Sequence, residues 1–401
     1  MQGAIYELLE TQRTIGYPER HDRPTAAKLP HSREVTGAPL KIGIVTEHYY
    51  PVLNEVSESV HFTATELVAR GHAVRIVSPT PWTNGAHAPQ PNGIPVRRIG
   101  QGVTPHVTVG AHLWRDLGEV LRAERFDILQ VHSPLVLTLP PLATLLATCP
   151  RVGSFHDTSE HSPVYAAFRR VIQHQLVDRL DGATVSSPRV LGALGRYFDL
   201  DARVIPSGVD TDRFNPRVPR LTRFGTEKRT LLFLNQPRHR QGLSFMLRLF
   251  SAVRRRFADV RLIVAGTGSL RQADARLLPD DVRDDVWFEE DALLNRASYY
   301  ATADLLCAPI GSPSYALLEA MACGTPIVAA DTASHQDLVG PAEGVLVSQD
   351  VDAFADAIVQ LLNDDRLRIA MSEGGLRKAA AHSWPTVVSR LLEYFQDIID
   401  G

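Results

Sequence analysis

Short apolar segments alternate with helical patterns over most of the first half of the chain. Apolar runs that predict β-strands lie at 41–46, 73–78, 127–132, 151–156 and 182–187. Between them apolar residues recur at helical spacing, as at 57–70, where Gly71 ends the predicted helix. Strands that alternate with helices indicate a parallel sheet with right-handed crossovers.

The same scheme starts again in the second half. Predicted strands lie at 229–235, 260–266, 304–309, 325–330 and 344–347, and predicted helices at 243–257, 315–323, 352–362 and 366–381. The segment 207–223 between the halves contains proline and few apolar residues, which is typical of a linker. The pattern therefore predicts an α/β protein with two Rossmann-like domains. Ligands bind beyond the carboxyl ends of such strands, so two facing domains place a site in the cleft between them.

The domain boundaries follow from this pattern. We predict an N-terminal extension over 1–38, which is polar, rich in Pro, Arg and His, and partly disordered. The first domain covers 39–206 and the second 207–384. Residues 385–401 form a last helix that we expect to pack back on the first domain.

Composition narrows the class of protein. The 401 residues suit two domains, and a net charge of −3 gives no global positive field for nucleic acid. Cys149, Cys307 and Cys323 suit neither a disulfide framework nor a zinc site. No signal sequence opens the chain, and the most apolar stretch, 135–149, is too short to span a bilayer. These features predict a cytoplasmic protein and leave peripheral contact with the inner face of the membrane open.

Several segments carry a resemblance to a known family. They are HYYPVLNEV (48–56), GSFHDTSEHSPVY (153–165), IPSGVDTDRFNP (205–216), VRLIVAGTGSLR (260–271) and LLEAMACGTPIVA (317–329). Their order and sequence resemble the retaining glycosyltransferases of family 4, which have the GT-B fold. The resemblance implies transfer of a mannose- or glucose-type hexose from a nucleoside-diphosphate sugar to a glycan or lipid acceptor. It implies an acceptor-side first domain, a donor-side second domain and no metal or other cofactor.

The resemblance also implies roles for single residues. Glu319 matches the carboxylate that holds the nucleotide ribose, and His156 matches a histidine that contacts the transferred sugar, with Asp157 beside it. Both residues also fit roles without function: Glu319 could lie on an exposed helix face, and His156 could make its hydrogen bonds within a polar loop. Further donor contacts are implied for Gly266 and Gly268 in a glycine turn, Ser314 and Leu317 in the signature helix, and Asn54 and Glu55 in a loop near the donor phosphate.

The donor-phosphate positions depart from the family pattern. Gln236 and Gln241 stand where the family has an arginine and a lysine that bind the diphosphate. Glutamine can donate a hydrogen bond there but supplies no charge. Arg238 and Arg240 could replace the lost cations, or they could simply face solvent. Gly311 stands where the family has the first glutamate of a carboxylate pair, and Glu55 stands at a usual glycine.

Two functions remain open on this evidence. The first is a working retaining glycosyltransferase with an unusual donor site. The second is a catalytically inactive relative that acts as partner or scaffold of another, active glycosyltransferase. A nucleotide-sugar epimerase would need the same cations, and an NAD enzyme is disfavoured because no GxGxxG follows the strand at 41–46.

Overall fold

The computed structural model describes residues 38–50, 54–80, 93–104, 107–136, 138–156, 162–235, 240–266, 280–289 and 295–401. These residues form two β-sheets, each flanked by helices, as the sequence predicts. The predicted extension over 1–38 lies outside the described residues, apart from its last position.

The first sheet has eight described strands in the order β4-β3-β2-β1-β5-β6-β7-β8. All neighbouring strands pair in parallel except β3 and β4. The strands are β1 Lys41–Val45, β2 Ala73–Thr80, β3 Val96–Thr104, β4 Val107–Val109, β5 Ile128–His132, β6 Arg151–Phe155, β7 Gly182–Val185 and β8 Arg203–Val204. The helices are α1 Glu55–Ala69, α2 Leu113–Glu124, α3 Leu139–Leu146, α4 Pro163–Gln175 and α5 Pro188–Gly195.

The second sheet has six described strands, all parallel, in the order β11-β10-β9-β12-β13-β14. They are β9 Arg229–Leu234, β10 Val260–Ala265, β11 Val286–Glu289, β12 Leu305–Ala308, β13 Ile327–Ala330 and β14 Gly344–Val347. The helices are α6 Arg240–Arg256, α7 Asp280–Arg283, α8 Arg296–Thr302, α9 Ser314–Ala322, α10 Ala333–Gln336, α11 Val351–Asn363, α12 Asp365–Ala381 and α13 Trp384–Asp400.

Both sheets are doubly wound. Each grows outward in one direction from a first strand and then in the other, so the strand order reverses beside β1 and beside β9. In such sheets the crevice beyond the carboxyl ends of the strands at the reversal is where ligands bind. The fold therefore points to the edge where β9 and β12 end, and to the facing edge of the first sheet.

The last helix returns to the first domain. Val388, Leu391 and Phe395 of α13 are buried with Ile42 and Ile44 of β1. The Ala183 backbone N–H donates to the Tyr394 hydroxyl at 3.0 Å. This packing joins the end of the chain to the sheet that begins it. No helix among the described residues is long and apolar enough to cross a membrane.

The segment between the domains packs on the second one. Val209, Phe214 and Phe224 are buried in a core cluster with residues of β9 and α9. Val209 also forms an isolated bridge with Ser383, and its N–H donates to the His382 carbonyl at 2.8 Å. The few apolar residues of this proline-rich stretch therefore anchor it instead of leaving it as a free linker.

Candidate functional site: a buried ion pair at the domain cleft

Glu319 lies in α9, in the sequence segment that resembles the family signature, and it is 4% exposed. Its carboxylate receives three hydrogen bonds. Arg296, the first residue of α8, donates from Nε to Oε2 at 2.6 Å and from Nη2 to Oε1 at 2.5 Å. The Tyr300 hydroxyl donates to Oε2 at 3.0 Å. A glutamate on an exposed helix face is therefore wrong as a description of this residue.

Besides Glu319, Arg296 contacts two aromatic rings and a second carboxylate. Its guanidinium lies 5.3 Å from the ring centre of Phe214 and 5.7 Å from that of Tyr315. Its Nη2 is also 3.7 Å from the Glu58 carboxylate on α1 of the first domain. Arg296 therefore connects a carboxylate of each domain.

The charges in this cluster depend on one another. Burial raises the pKa of Glu319, and the Arg296 guanidinium opposes that rise. Burial alone would lower the pKa of Arg296, but the contact with Glu319 holds it above its usual value. A carboxylate has about four lone-pair sites, and three are taken here. In this arrangement Glu319 can accept at most one hydroxyl, so binding both ribose hydroxyls requires Arg296 or Tyr300 to give up a hydrogen bond to Glu319.

His156 directly follows β6 and lies beside His132, the last residue of β5. His132 Nδ1 and His156 Nε2 are 2.6 Å apart. Burial lowers the pKa of His156 to about 4. Burial, with a smaller effect of His156, lowers the pKa of His132 well below its ordinary value. Both rings are therefore neutral at physiological pH, and neither supplies a cation.

The turns that follow β10 and β12 lie at the carboxyl edge of the second sheet. Gly266 has φ +130°, and a Cβ there would lie 2.3 Å from the Asn235 carbonyl oxygen, so a side chain is excluded. Ser314 begins α9, whose N-terminus has no side-chain cap because Pro313 occupies the capping position. Leu317 is completely buried in the core of the second domain. A donor contact at Leu317 would therefore have to come from its backbone, and its place in the donor site stays a prediction.

Asn54 and Glu55 lie at the start of α1. The Asn54 side chain accepts from the Ser57 N–H at 2.8 Å and caps the helix. Glu55 is exposed and accepts from the Ser207 hydroxyl at 3.1 Å. Glu55 therefore connects α1 to the segment that links the domains, whereas Asn54 bonds within its own helix start.

Several predicted residues fall outside the described part of the chain. They are Asp157, Gln236, Arg238 and Gly268. Arg240 and Gln241 lie in the first turn of α6, but their side chains are not among those described. No group of three His, Cys, Asp or Glu side chains within the described ranges is arranged to hold a metal ion.

Three residues of the site escaped sequence reasoning. Arg296 and Glu58 meet only because the two domains face each other, and no local pattern marks them. His132 carried a usable signal, because it ends a predicted strand just as His156 does. The carboxyl ends of neighbouring parallel strands meet at one edge of a sheet, so the two histidines could have been paired from the sequence.

Solved structures with the same fold are glycosyltransferases. A glycosyltransferase from Rickettsia africae superimposes with a TM-score of 0.71 at 15% identity, covering 90% of this chain and 99% of that chain. HepE from Anabaena in complex with UDP gives a TM-score of 0.68 at 17% identity, with 89% and 100% covered. At such identities the likeness shows the GT-B fold.

Sequence relatives cover nearly the whole chain. A phosphatidyl-myo-inositol mannosyltransferase from Mycobacterium leprae is 29% identical over 379 residues, which are 90% of this chain and 97% of the relative. A D-inositol 3-phosphate glycosyltransferase from Corynebacterium jeikeium is 29% identical over 315 residues, 72% of each chain. The family model for Glycosyltransferase Family 4 matches residues 56–213, and the model for Glycosyl transferases group 1 matches residues 228–364. One model covers most of each domain, and the protein belongs to the glycosyltransferases of family 4 and group 1, with the GT-B fold.

Proposed function

We propose that this glycosyltransferase moves a mannose- or glucose-type hexose, with retention of anomeric configuration, from a nucleoside-diphosphate sugar to a lipid-linked acceptor. The name of the Mycobacterium leprae relative supports a mannosyl donor and an inositol-lipid acceptor. The retaining course and the role of the donor follow from the family resemblance. A glycan that carries no lipid is the other acceptor class compatible with the fold.

The Glu58–Arg296–Glu319 cluster, in which Glu319 is buried and the other two residues are partly buried, carries this proposal. Negative charge grows on the leaving diphosphate during transfer, and the protein must supply positive groups to stabilise it. Arg296 is a cation already held in the cleft, and its sequence position is neither of the two family positions, where this chain has Gln236 and Gln241. We propose that donor binding turns Arg296 toward the diphosphate and frees Glu319 to accept the ribose hydroxyls.

Other groups of the proposed site also contribute to binding of the nucleotide-sugar donor. The uncapped N-terminus of α9 offers backbone N–H groups to an anion, and the partial positive charge of the helix end favours phosphate. Gly266 allows the donor to approach the backbone closely. His156 would contact the sugar, with Asp157 beside it. Because protein groups carry the charge of the diphosphate, we propose that transfer needs no metal ion.

The exposed apolar face of α4 supports the proposal that the acceptor is a lipid. Val164, Phe168 and Val171 of α4 are 54–60% exposed and lie along one side of the helix, next to the exposed Arg169 and Arg170. Apolar side chains flanked by arginine suit the boundary between acyl chains and anionic headgroups. We propose that this face rests on the membrane that contains the acceptor, which makes the protein a peripheral one on the cytoplasmic side.

The non-catalytic alternative receives no support from the comparisons, since the relatives and the matched families are those of enzymes. Its remaining basis is the loss of charge at Gln236 and Gln241. We therefore carry it only as an outcome of the experiment.

The test is calorimetric titration of GDP, UDP and ADP into the full-length protein, followed by a transfer assay with the sugar of the nucleotide that binds. We expect micromolar binding of one nucleotide, transfer in the presence of a chelator, and a product whose anomeric proton shows retained configuration by NMR. An inverted product would exclude the retaining mechanism. Failure of all three nucleotides to bind at millimolar concentration would leave the scaffold alternative.

A further inference from the structure

The contact between His132 and His156 is a hydrogen bond in the plane of both rings. The ring planes differ by 11°, the ring centres are 4.9 Å apart, and the facing nitrogens are 2.6 Å apart. Rings stacked face to face cannot bring two nitrogens much closer than their planes. The large difference between the two distances shows instead that the rings meet edge to edge along the N···N line.

Two neutral imidazoles can make this bond in only two ways. A neutral ring has one N–H donor and one bare nitrogen that accepts. Either His156 Nε2–H donates to His132 Nδ1, or His132 Nδ1–H donates to His156 Nε2. The choice fixes the tautomer of both rings, and it decides whether His156 Nδ1 is an acceptor or a donor.

A small polar cavity beneath the pair indicates which arrangement holds. His132 and Gln130 line a cavity of about 30 Å³ together with Ser154, Thr184 and Trp384. His132 is 2% exposed and Gln130 is 4% exposed. His132 Nε2 and Gln130 Oε1 are both buried without a hydrogen-bond partner within the described part of the chain. Two unpartnered polar atoms in one cavity of this size define a site for a single buried water.

The orientation of Gln130 breaks the tie. Its Nε2 donates to Ser154 Oγ at 2.9 Å, so its Oε1 is the atom left to accept. A water in the cavity donates to Gln130 Oε1 in either arrangement, but it also accepts from the His132 ring only when the proton is on Nε2. His156, His132, the water and Gln130 then form one head-to-tail chain, in which each hydrogen bond polarises and strengthens the next. With its proton on Nε2, His132 has a bare Nδ1 that accepts from His156 Nε2–H.

We propose that His132 is the positioning residue of His156 and that a buried water between His132 Nε2 and Gln130 Oε1 fixes the tautomer of both rings. His156 then presents Nδ1 as a bare acceptor. This inference rests on the proposed contact of His156 with the donor sugar and deepens it. An acceptor suits a sugar hydroxyl and repels a carboxylate, so the pair selects a neutral hexose over a hexuronate.

The first test reads the tautomers directly and needs no transfer. Long-range proton–nitrogen NMR on protein with isotope-labelled histidine assigns the protonated nitrogen of each ring. We expect both His132 and His156 to carry their proton on Nε2. A His156 ring protonated on Nδ1 would overturn the proposal whether or not the protein transfers sugar.

The second test separates positioning from packing. His132→Asn keeps an acceptor near the position of Nδ1, whereas His132→Leu fills the space without one. Loss of an orienting hydrogen bond behind a functional side chain typically lowers activity by about 10- to 100-fold. We expect that loss in kcat for His132→Leu, with an almost unchanged KM for the donor, and recovery to within about threefold for His132→Asn. Equal activities of the two variants would show that His132 only fills space.

The matched control is His61→Leu, because His61 is another buried histidine of the same domain, bonded to the Tyr49 hydroxyl at 3.2 Å. We expect that variant to keep kcat and the His156 tautomer of the unaltered protein. A change of tautomer there would show that any buried histidine disturbs the site, and it would contradict a specific role for His132. Failure of the proposed function would appear separately, as correct tautomers without transfer.

Discussion

At the residue scale, the proposed nucleotide-sugar site contains one carboxylate, Glu319, that accepts three hydrogen bonds from neighbouring side chains. The sequence identified Glu319 through its motif but not the guanidinium that holds it, because Arg296 lies 23 positions earlier on another helix. A sequence motif marks a candidate ligand-binding residue but says nothing about the side chains that are already bonded to it. The structure shows which groups must be displaced before it can bind.

We predict that Arg296→Gln alone destabilises the protein and that a second change, Glu319→Gln, restores the stability. The single variant leaves a buried carboxylate unpaired, which costs about 3–5 kcal/mol, while the double variant removes both charges. The double variant should still lose nucleoside-diphosphate affinity by about 10-fold or more, because a charge-assisted hydrogen bond is worth roughly 1.5–3 kcal/mol. Urea unfolding and calorimetry measure the two effects.

Arg189→Gln is the control for that pair of variants. Arg189 also joins the domains, through an ion pair of 3.2 Å with Asp337, but it lies outside the proposed donor site. Its loss should leave nucleotide affinity unchanged. If the Arg296 and Glu319 double variant binds the nucleotide as tightly as the unaltered protein does, Arg296 does not bind the diphosphate.

At the scale of elements, the buried central strands were predictable, whereas β14 was the one predicted strand among the described strands at the sheet edges. The stretches 42–45 and 262–265 contain no polar residue because both faces of a central parallel strand are covered. Strand β3 reads VRRIGQGVT, where polar residues and glycine interrupt the pattern. The edge strands β4, β8 and β11, and β3 next to the edge, meet less of the core, so their sequences carry a weaker signal.

The face of α4 gives a prediction for an element. Phe168→Ser with Val171→Ser should weaken binding to vesicles of anionic phospholipid by about 10-fold or more, since a buried apolar side chain contributes about 1.5–3 kcal/mol. Arg169→Gln should weaken it by about fivefold, because each arginine near such a surface is worth about 1 kcal/mol. Vesicle co-sedimentation measures both effects.

Ile369→Ser is the matched control for this face, because Ile369 is 60% exposed on α12 of the second domain. It should bind vesicles as the unaltered protein does. Equal loss of binding in the control and the α4 variants would show a general effect of surface hydrophobicity. No loss in the α4 variants would exclude that helix as the membrane face.

At the scale of the whole molecule, the sequence predicted two domains but not how they touch. Contacts such as Arg296 with Glu58, Ser207 with Glu55 and Arg189 with Asp337 join segments separated by 148 or more positions. Each depends on the relative placement of the domains, which no periodicity encodes. The contacts in the cleft therefore form only when both domains are folded and placed together, whereas each sheet can be predicted from the sequence of its own half.

The histidines buried in the folded chain make its stability depend on pH. Burial lowers the pKa of His61, His156 and His382 to about 4, against about 6.5 for an exposed imidazole. Between these values the unfolded chain binds protons that the folded chain excludes, so the free energy of unfolding falls as the pH decreases. A difference of about 2.5 units is worth roughly 3 kcal/mol per histidine once the pH reaches the lower value.

We therefore predict that the urea midpoint is highest above pH 7 and falls steeply from about pH 6.5 toward pH 4. Replacing His382 with Gln should reduce this slope, because one buried imidazole no longer resists protonation. Replacing His174, whose side chain is 72% exposed, should leave the slope unchanged. Carboxylates paired in the folded state would also weaken stability in acid, but mainly below about pH 5. A midpoint that stays constant from pH 7 to pH 5 would show that the buried histidines are protonated without cost.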